Sequence, residues 1–144
     1  MNKISVMLDL KRVNGKIHKA LTNSLKKYDL DVTPVQSRII MFIDENNEVT
    51  ATDILDKFNS INKSTLSEIL NNLEKNGYIS RREALNDSRK KLIVLTDKAK
   101  DVIKVLKKNF DDIAHRVLDN VSNEEYEVFS AILNKIERNV DEIC

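Results

Sequence analysis

The 144-residue sequence has few of the residues that form turns or covalent cross-links. It contains two glycines, one proline, one cysteine and no tryptophan. Turn-rich β folds depend on glycine and proline, so this composition favours helices joined by short connections and predicts a mainly α (α+β) fold. The only cysteine is Cys144, which excludes an internal disulfide and a cysteine-based metal site. A reducing compartment fits this cysteine usage.

Long hydrophobic runs are also absent. The longest, Ile39 to Ile43, is far shorter than the roughly 20 apolar residues that a membrane-spanning helix needs. The first residues do not form a signal-peptide pattern. We therefore expect a cytoplasmic protein without a membrane partner.

Residues that usually carry catalysis or bind metals are sparse. His18 and His115 lie in separate helical segments, and neither has a carboxylate or cysteine motif at metal-ligand spacing. No glycine-rich phosphate-binding loop is present. We expect no enzymatic activity and no cofactor, and we interpret each histidine as a surface or interface residue.

The charge is unevenly distributed, although the net charge is only +1. Residues 1–31 have seven basic and three acidic residues (+4), and residues 62–91 have seven basic and four acidic residues (+3). Residues 32–61 have two basic and five acidic residues, and residues 92–144 have eight and eleven, so each segment sums to −3. A cationic segment is most often a solvated face, so this pattern favours a polyanionic partner without establishing one.

Apolar periodicity and capping signals predict six helices. A stripe at three- and four-residue spacing predicts a long first helix over about residues 4–28. Thr33, Pro34 and Gln36 form a strong start signal, a capping box with proline at the first helical position. The second helix then ends near Glu45.

The third and fourth helices are short and separated by a tight polar turn. Thr50 opens the third helix, which extends through Phe58. Asn62 caps the fourth helix, which ends at Gly77, where glycine supplies a left-handed C-terminal residue. Two short helices joined in this way lead into a predicted β-hairpin.

The fourth helix has one apolar face and one short-chained polar face. Its apolar residues recur at i, i+3, i+4 and i+7: Leu66, Ile69, Leu70 and Leu73. The opposite face has mostly short or hydrogen-bonding side chains: Lys63, Ser64, Ser67, Glu68 and Asn71. These side chains suit base edges and phosphates, and an α-helix fits the DNA major groove. The alternative interpretation is a capped surface helix without a ligand.

The hairpin has cations near its predicted tip. The segments "YISRR" and "KLIVL" read as strands, and about eight residues between them predict a long, flexible loop. Arg89 is the best candidate to enter a narrow minor groove, and Asp87 could hold its guanidinium in one orientation. The alternative is a surface ion pair that contributes almost nothing.

Two long C-terminal helices have apolar stripes that the central segment need not cover. The first stripe contains Val102, Leu106, Phe110, Ile113 and Val117. The second follows a Ser122–Glu125 capping box and contains Phe129, Ile132, Leu133, Ile136 and Val140. These stripes favour a dimer, and packing within one chain is the alternative.

The stretch "STLSEILNNLEKNGYISRREALNDSRKKLIVLT", Ser64 to Thr96, resembles the MarR-type winged helix-turn-helix transcriptional regulators. It is similar to that family's recognition helix, its "LE..G.I.R" exit, its "D.R" wing and the "LT" start of a long helix, without a gap. The entry "VTPVQ" and the long terminal helices also fit. The sequence departs from the family by lacking prolines in the wing, by Ala99 at a frequent glycine position and by Lys90 after Arg89.

The resemblance implies an architecture and a set of DNA contacts. One domain over residues 1–144 would contain a winged helix-turn-helix at 32–96 and dimerisation helices at 1–31 and 97–144. A recognition helix at 62–76 would occupy the major groove and a wing at 82–91 the minor groove. The implied DNA-contacting residues are Asn62, Lys63, Ser64, Thr65, Ser67, Glu68, Asn71, Arg81, Asp87, Arg89 and Lys90.

The resemblance also implies a function. A homodimer would present two recognition helices to the half-sites of a palindromic operator in double-stranded DNA. It would act as a ligand-responsive repressor whose effector is a small, often aromatic or phenolic, molecule. A thiol sensor in the first helix is excluded because no cysteine precedes Cys144. The alternative from another functional class is a winged-helix module that binds proteins without binding specific DNA.

Overall fold

The computed structural model describes residues 2–144, which form six helices and one two-stranded antiparallel hairpin. In chain order the elements are α1 (Lys3–Lys26), α2 (Pro34–Glu45), α3 (Ala51–Lys57), α4 (Lys63–Lys75), β1 (Ile79–Ala84), β2 (Asp87–Leu95), α5 (Asp97–Val117) and α6 (Asn123–Ile143). The predicted mainly α fold with six helices and one hairpin is confirmed.

Capping boxes fix the starts of three helices. In each box the N-cap hydroxyl accepts from the backbone N–H three residues later, and that later side chain accepts from the N-cap N–H. The pairs are Thr33 with Gln36, Thr50 with Asp53, and Ser122 with Glu125. An N-cap contributes about 1 kcal/mol because it pairs donors that a helix start leaves free. These three predicted starts are confirmed.

The first helix is shorter than its apolar stripe predicts. The stripe extends to Tyr28, but α1 ends at Lys26 and a turn follows. Asp29 has a φ of 53°, in the left-handed region, which Asp tolerates better than most residues. The predicted end near residue 28 is therefore two residues too late.

The chain divides into two compact units, one ending at Ile113 and the other formed by Ala114–Cys144. The hydrophobic core belongs to the first unit and combines residues of α1 to α5 and the hairpin. Its fully buried members include Ile39, Ile40, Ile54, Leu66, Leu73 and Leu106. In the second unit, no residue of α6 is buried.

The apolar face of α4 packs into this core. Leu66, Leu70 and Leu73 are buried and Ile69 is partly buried, as the helical spacing predicts. Truncating one of these leucines to alanine should cost about 2–5 kcal/mol of stability. Burial of this face leaves the polar side of α4 facing outward.

The hairpin is tighter than the sequence predicts. β1 and β2 pair from Ile79 with Leu95 to Ala84 with Asp87, so only Leu85 and Asn86 connect them. The predicted eight-residue flexible loop is wrong. Apart from Leu85 and Asn86, the predicted loop residues belong to the strands, where they lack apolar alternation because they are mostly exposed. A register irregularity follows Glu83.

Large apolar side chains remain exposed on both terminal helices. On α1 they include Ile4, Val6, Met7, Leu8 and Val13. On α6 they include Tyr126, Val128, Phe129, Ile132, Leu133 and Val140. The stripe predicted on α5 is not exposed as a whole. Leu106 is buried within the first unit, and only Val117, at the far end of the stripe, is exposed. Over residues 2–144, the helices lack the combination of length and hydropathy that crossing a bilayer requires.

Candidate nucleic-acid interface

The outward side of α4 has the short polar surface that the sequence predicts. Lys63, Ser64, Thr65, Ser67, Glu68 and Asn71 are all exposed. The three buried leucines fix the rotation of the helix, so these side chains share its solvent side. Hydroxyl and amide groups can donate and accept hydrogen bonds, as base edges require.

The start of α4 combines a cap with unpaired backbone donors. The Asn62 side chain accepts a hydrogen bond from the Thr65 N–H at 2.7 Å. The first-turn N–H groups of Lys63 and Ser64 have no carbonyl acceptor within the helix, because a helix start leaves them free. Together with the helix dipole, they provide an anion-binding end suited to a phosphate. Asn62 therefore shapes this end as a cap.

Arg81, on β1, contacts two residues of α4. Its terminal nitrogen Nη2 donates to the Asn71 side-chain oxygen Oδ1 at 3.0 Å. Its Nε lies 3.7 Å from the Glu74 carboxylate oxygen Oε2. These contacts join the hairpin to the polar side of α4 and bring together two of the predicted DNA-contacting residues.

The predicted Asp87–Arg89 pair is formed at the start of β2. The Asp87 carboxylate accepts from the Arg89 backbone N–H at 2.9 Å and lies 3.4 Å from its Nε. The Arg89 side chain is 92% exposed and that of Asp87 44% exposed. The guanidinium is thus restrained from one side and otherwise open to solvent.

The remaining hairpin cations differ in their partners. Lys91 pairs with Glu83 across the strands at 3.1 Å, which offsets its charge. Arg82 and Lys90 are exposed. Lys90 therefore remains available as a phosphate contact, whereas Lys91 is engaged within the hairpin.

Tyr78 anchors the exit from α4 into β1. Its ring is buried, its hydroxyl donates to the Asp31 carboxylate, and Lys98 Nζ lies 4.4 Å from the ring centroid. Burial, together with the hydrogen bond to Asp31, raises the pKa of the Tyr78 hydroxyl well above its ordinary value of 10.0. Gly77, just before it, has a φ of 83° and ends the helix as predicted.

Sequence reasoning did not identify the Asp31–Tyr78 contact. The two residues are 47 positions apart, and no local pattern links them. The one available signal was a tyrosine directly after the glycine that ends α4, because a buried tyrosine hydroxyl usually needs a partner.

A groove of about 410 Å³ lies in the first unit, between α1 and the connection to α2. Its polar lining includes His18, Thr22, Lys26 and Asp31, and apolar side chains such as Leu25 and Leu30 complete it. Asp31 also accepts the Tyr78 hydrogen bond, so one residue belongs to both the groove and the anchor of the α4 exit. The groove is large enough for a small aromatic molecule.

The family model described as "MarR family" matches residues 30–90. An uncharacterized HTH-type transcriptional regulator of Bacillus subtilis (strain 168), YdgJ, is 31% identical over 97 residues. The match covers 67% of this chain, and the chain spans 58% of the length of YdgJ.

Solved structures show the same fold. The transcription regulator MarR from Oenococcus oeni PSU-1 is 27% identical with a TM-score of 0.76, covering 92% of this chain and 98% of that one. The structure of the S. aureus MepR–DNA complex has a TM-score of 0.83 at 21% identity, covering 96% and 98%. At that identity, the similarity to MepR concerns the fold alone.

Proposed function

The chain belongs to the MarR family of winged helix-turn-helix transcriptional regulators, and we propose that it is a homodimeric, sequence-specific, duplex-DNA-binding repressor. The main support is the polar side of α4, held outward by three buried leucines and joined to a cationic hairpin through Arg81. We propose that it acts without catalysis in the cytoplasm, where its operator DNA lies.

In this proposal α4 occupies the major groove. Ser64, Thr65, Ser67 and Asn71 read base edges, and Glu68 accepts from an exposed cytosine amino group. Lys63 and the free N–H groups at the helix start bind a phosphate and set the register of the helix on the duplex.

The wing contacts the adjacent minor groove. Arg89 enters this groove, where negative potential is concentrated in A·T-rich sequence, and Asp87 restrains its guanidinium. Lys90 contributes a phosphate contact. The two-residue turn supports this role, because it leaves Arg89 within strand β2, between the paired residues Asp87 and Lys91, and not on a long flexible loop.

The exposed apolar residues support a homodimer. Stripes such as Phe129, Ile132 and Leu133 on α6 leave large side chains in water unless another surface covers them. A second copy of the chain would cover them by an isologous interface and would present two α4 helices to a palindrome.

The groove beside Asp31 supports ligand control. We propose that a small aromatic or phenolic molecule binds there. Because Asp31 also holds Tyr78 at the end of α4, an occupant that draws Asp31 away would loosen the recognition helix. Ligand binding would then lower DNA affinity by shifting the population of binding-competent dimers.

Selection of binding sites from a randomised duplex library tests the proposal. We expect enrichment of a palindrome, and an affinity for it at least about 10³-fold above that for a shuffled duplex. Affinity should fall steeply with salt, because several phosphates are neutralised in each half-site. Equal affinity for selected and shuffled duplexes would instead support a protein-interaction module.

A further inference from the structure

The contact between Arg81 and Asn71 fixes which way the Asn71 side-chain amide faces. A guanidinium only donates hydrogen bonds, so the amide atom that it approaches at 3.0 Å must be the oxygen, Oδ1. Turning the amide over would place the Nδ2 hydrogens against the N–H donors of Arg81. This repulsion disfavours the flipped orientation.

Two further features hold Arg81 in place. Its backbone pairs with Ile93 across the hairpin, and Glu74 lies 3.7 Å from its Nε. Glu74 is three residues after Asn71, so the guanidinium spans one turn of α4. The Arg81 side chain is 35% exposed, far less than that of Arg89 at 92%. Arg81 is therefore oriented by the protein before DNA arrives.

The amide nitrogen of Asn71 remains available. Within residues 2–144, Nδ2 donates to no other group, and Asn71 is exposed on the polar side of α4. Its outward atom is consequently a donor. In the major groove, adenine and guanine offer N7, guanine also offers O6, and thymine offers O4 as acceptors. Cytosine presents an amino donor, which an N–H donor cannot satisfy.

We propose that Arg81 is a specificity-determining positioning residue that locks Asn71 as a donor and so makes the recognition helix reject cytosine at one position of each half-site. This inference rests on the proposed DNA-binding function and adds a base preference to it. Arg81 acts through Asn71, so its effect is on discrimination between bases and not only on affinity.

Affinities for four duplexes that differ only at the Asn71 position test the proposal. The Asn71 position is defined as the base pair at which the Asn71→Ala variant no longer distinguishes between the four bases. The wild type should bind the cytosine duplex about tenfold or more weakly than the best duplex. Arg81→Met frees the amide to turn its oxygen outward, so the penalty against cytosine should fall below about threefold. Arg81→Lys retains a donor-only partner and should keep most of the penalty.

Two controls separate this role from charge and folding. Arg82→Met removes an exposed arginine from the same strand without touching the Arg81–Asn71 contact, so it should leave discrimination at the Asn71 position unchanged. Asn71→Asp presents an acceptor-only side chain to the same Arg81, so it should invert the preference towards cytosine. Thermal unfolding of each variant verifies that it is folded.

The outcomes are distinct. An unchanged cytosine penalty in Arg81→Met, or an equal loss of affinity for all four duplexes, would overturn the inference while leaving DNA binding intact. Failure of the wild type to prefer any duplex would overturn the proposed function and this inference with it.

Discussion

Asp87 gives the sharpest test of how the wing uses Arg89, because two physical effects predict opposite results for Asp87→Ala. If Asp87 is only a surface charge, removing it relieves repulsion from phosphate. At a separation of about 10 Å in water that repulsion is about 0.4 kcal/mol before salt screening, so binding would tighten by less than about twofold per half-site. If Asp87 aims Arg89, binding should weaken.

The expected size of the aiming effect follows from the exposure of the pair. Asp87 holds Arg89 through its backbone N–H at 2.9 Å and its Nε at 3.4 Å, with both side chains substantially exposed. Exposed pairs contribute up to about 1 kcal/mol. We therefore expect Asp87→Ala to weaken binding by about 0.5–1 kcal/mol per half-site, or about two- to fivefold.

A double-mutant cycle measured by fluorescence anisotropy on the selected palindrome isolates this effect. In an Arg89→Ala background, Asp87→Ala should no longer weaken binding, because the residue that it positions is absent. In the matched Lys90→Ala background, the loss should persist. Arg89→Ala alone should make the salt dependence shallower by about one unit per half-site. Tighter binding by Asp87→Ala in both the wild-type and the Arg89→Ala backgrounds would refute the reasoning.

Two further predictions concern stability and assembly. Because burial and the Asp31 hydrogen bond raise the folded-state pKa of Tyr78, the unfolded chain loses this proton first. The stability that the protonated Tyr78 hydroxyl contributes should therefore be constant below pH 10 and be lost as the pH rises above it. Urea unfolding should show that Tyr78→Phe costs about 1 kcal/mol at neutral pH and removes this alkaline loss, and a loss of equal size in the variant would contradict the assignment. Phe129→Glu should convert the dimer to monomer in sedimentation, whereas Asn134→Glu, which lies off the apolar stripe, should not. A Phe129→Glu dimer of unchanged affinity would exclude this stripe from the interface.

Features that depend on neighbouring residues could be predicted from the sequence. The capping box of Thr33 and Gln36 lies within one turn, so its residue types alone specify the start of α2. The glycine that ends α4 is specified in the same way, since a left-handed residue is needed there. Such signals require no knowledge of the tertiary fold.

Features that depend on tertiary contacts could not be predicted. The strands of the hairpin extend to Ala84 and Asp87 because polar residues such as Glu83 and Lys91 pair across them, although their sequence has no apolar alternation. The end of α1 could not be predicted either, because the apolar spacing continues to Tyr28 although the helix ends at Lys26.

The same distinction between local and tertiary features applies to the candidate site. The exposed side of α4 follows from helical spacing, which places Asn71 opposite the buried leucines. The orientation of the Asn71 amide does not follow from helical spacing, because Arg81, ten residues away on a strand, sets it. Local sequence therefore predicts which residues face outward, and the fold determines how their polar atoms are presented.

Hydroxyl-radical footprinting of the selected palindrome tests the central claim most directly. We expect two protected half-sites whose centres are about one helical turn apart, roughly 34–36 Å, with protected minor-groove segments flanking them. Arg89→Ala should lose the flanking protection and keep the central half-sites. Uniform protection without half-site spacing, or flanking protection that Arg89→Ala leaves unchanged, would contradict the proposed dimer on two half-sites and the wing in the minor groove.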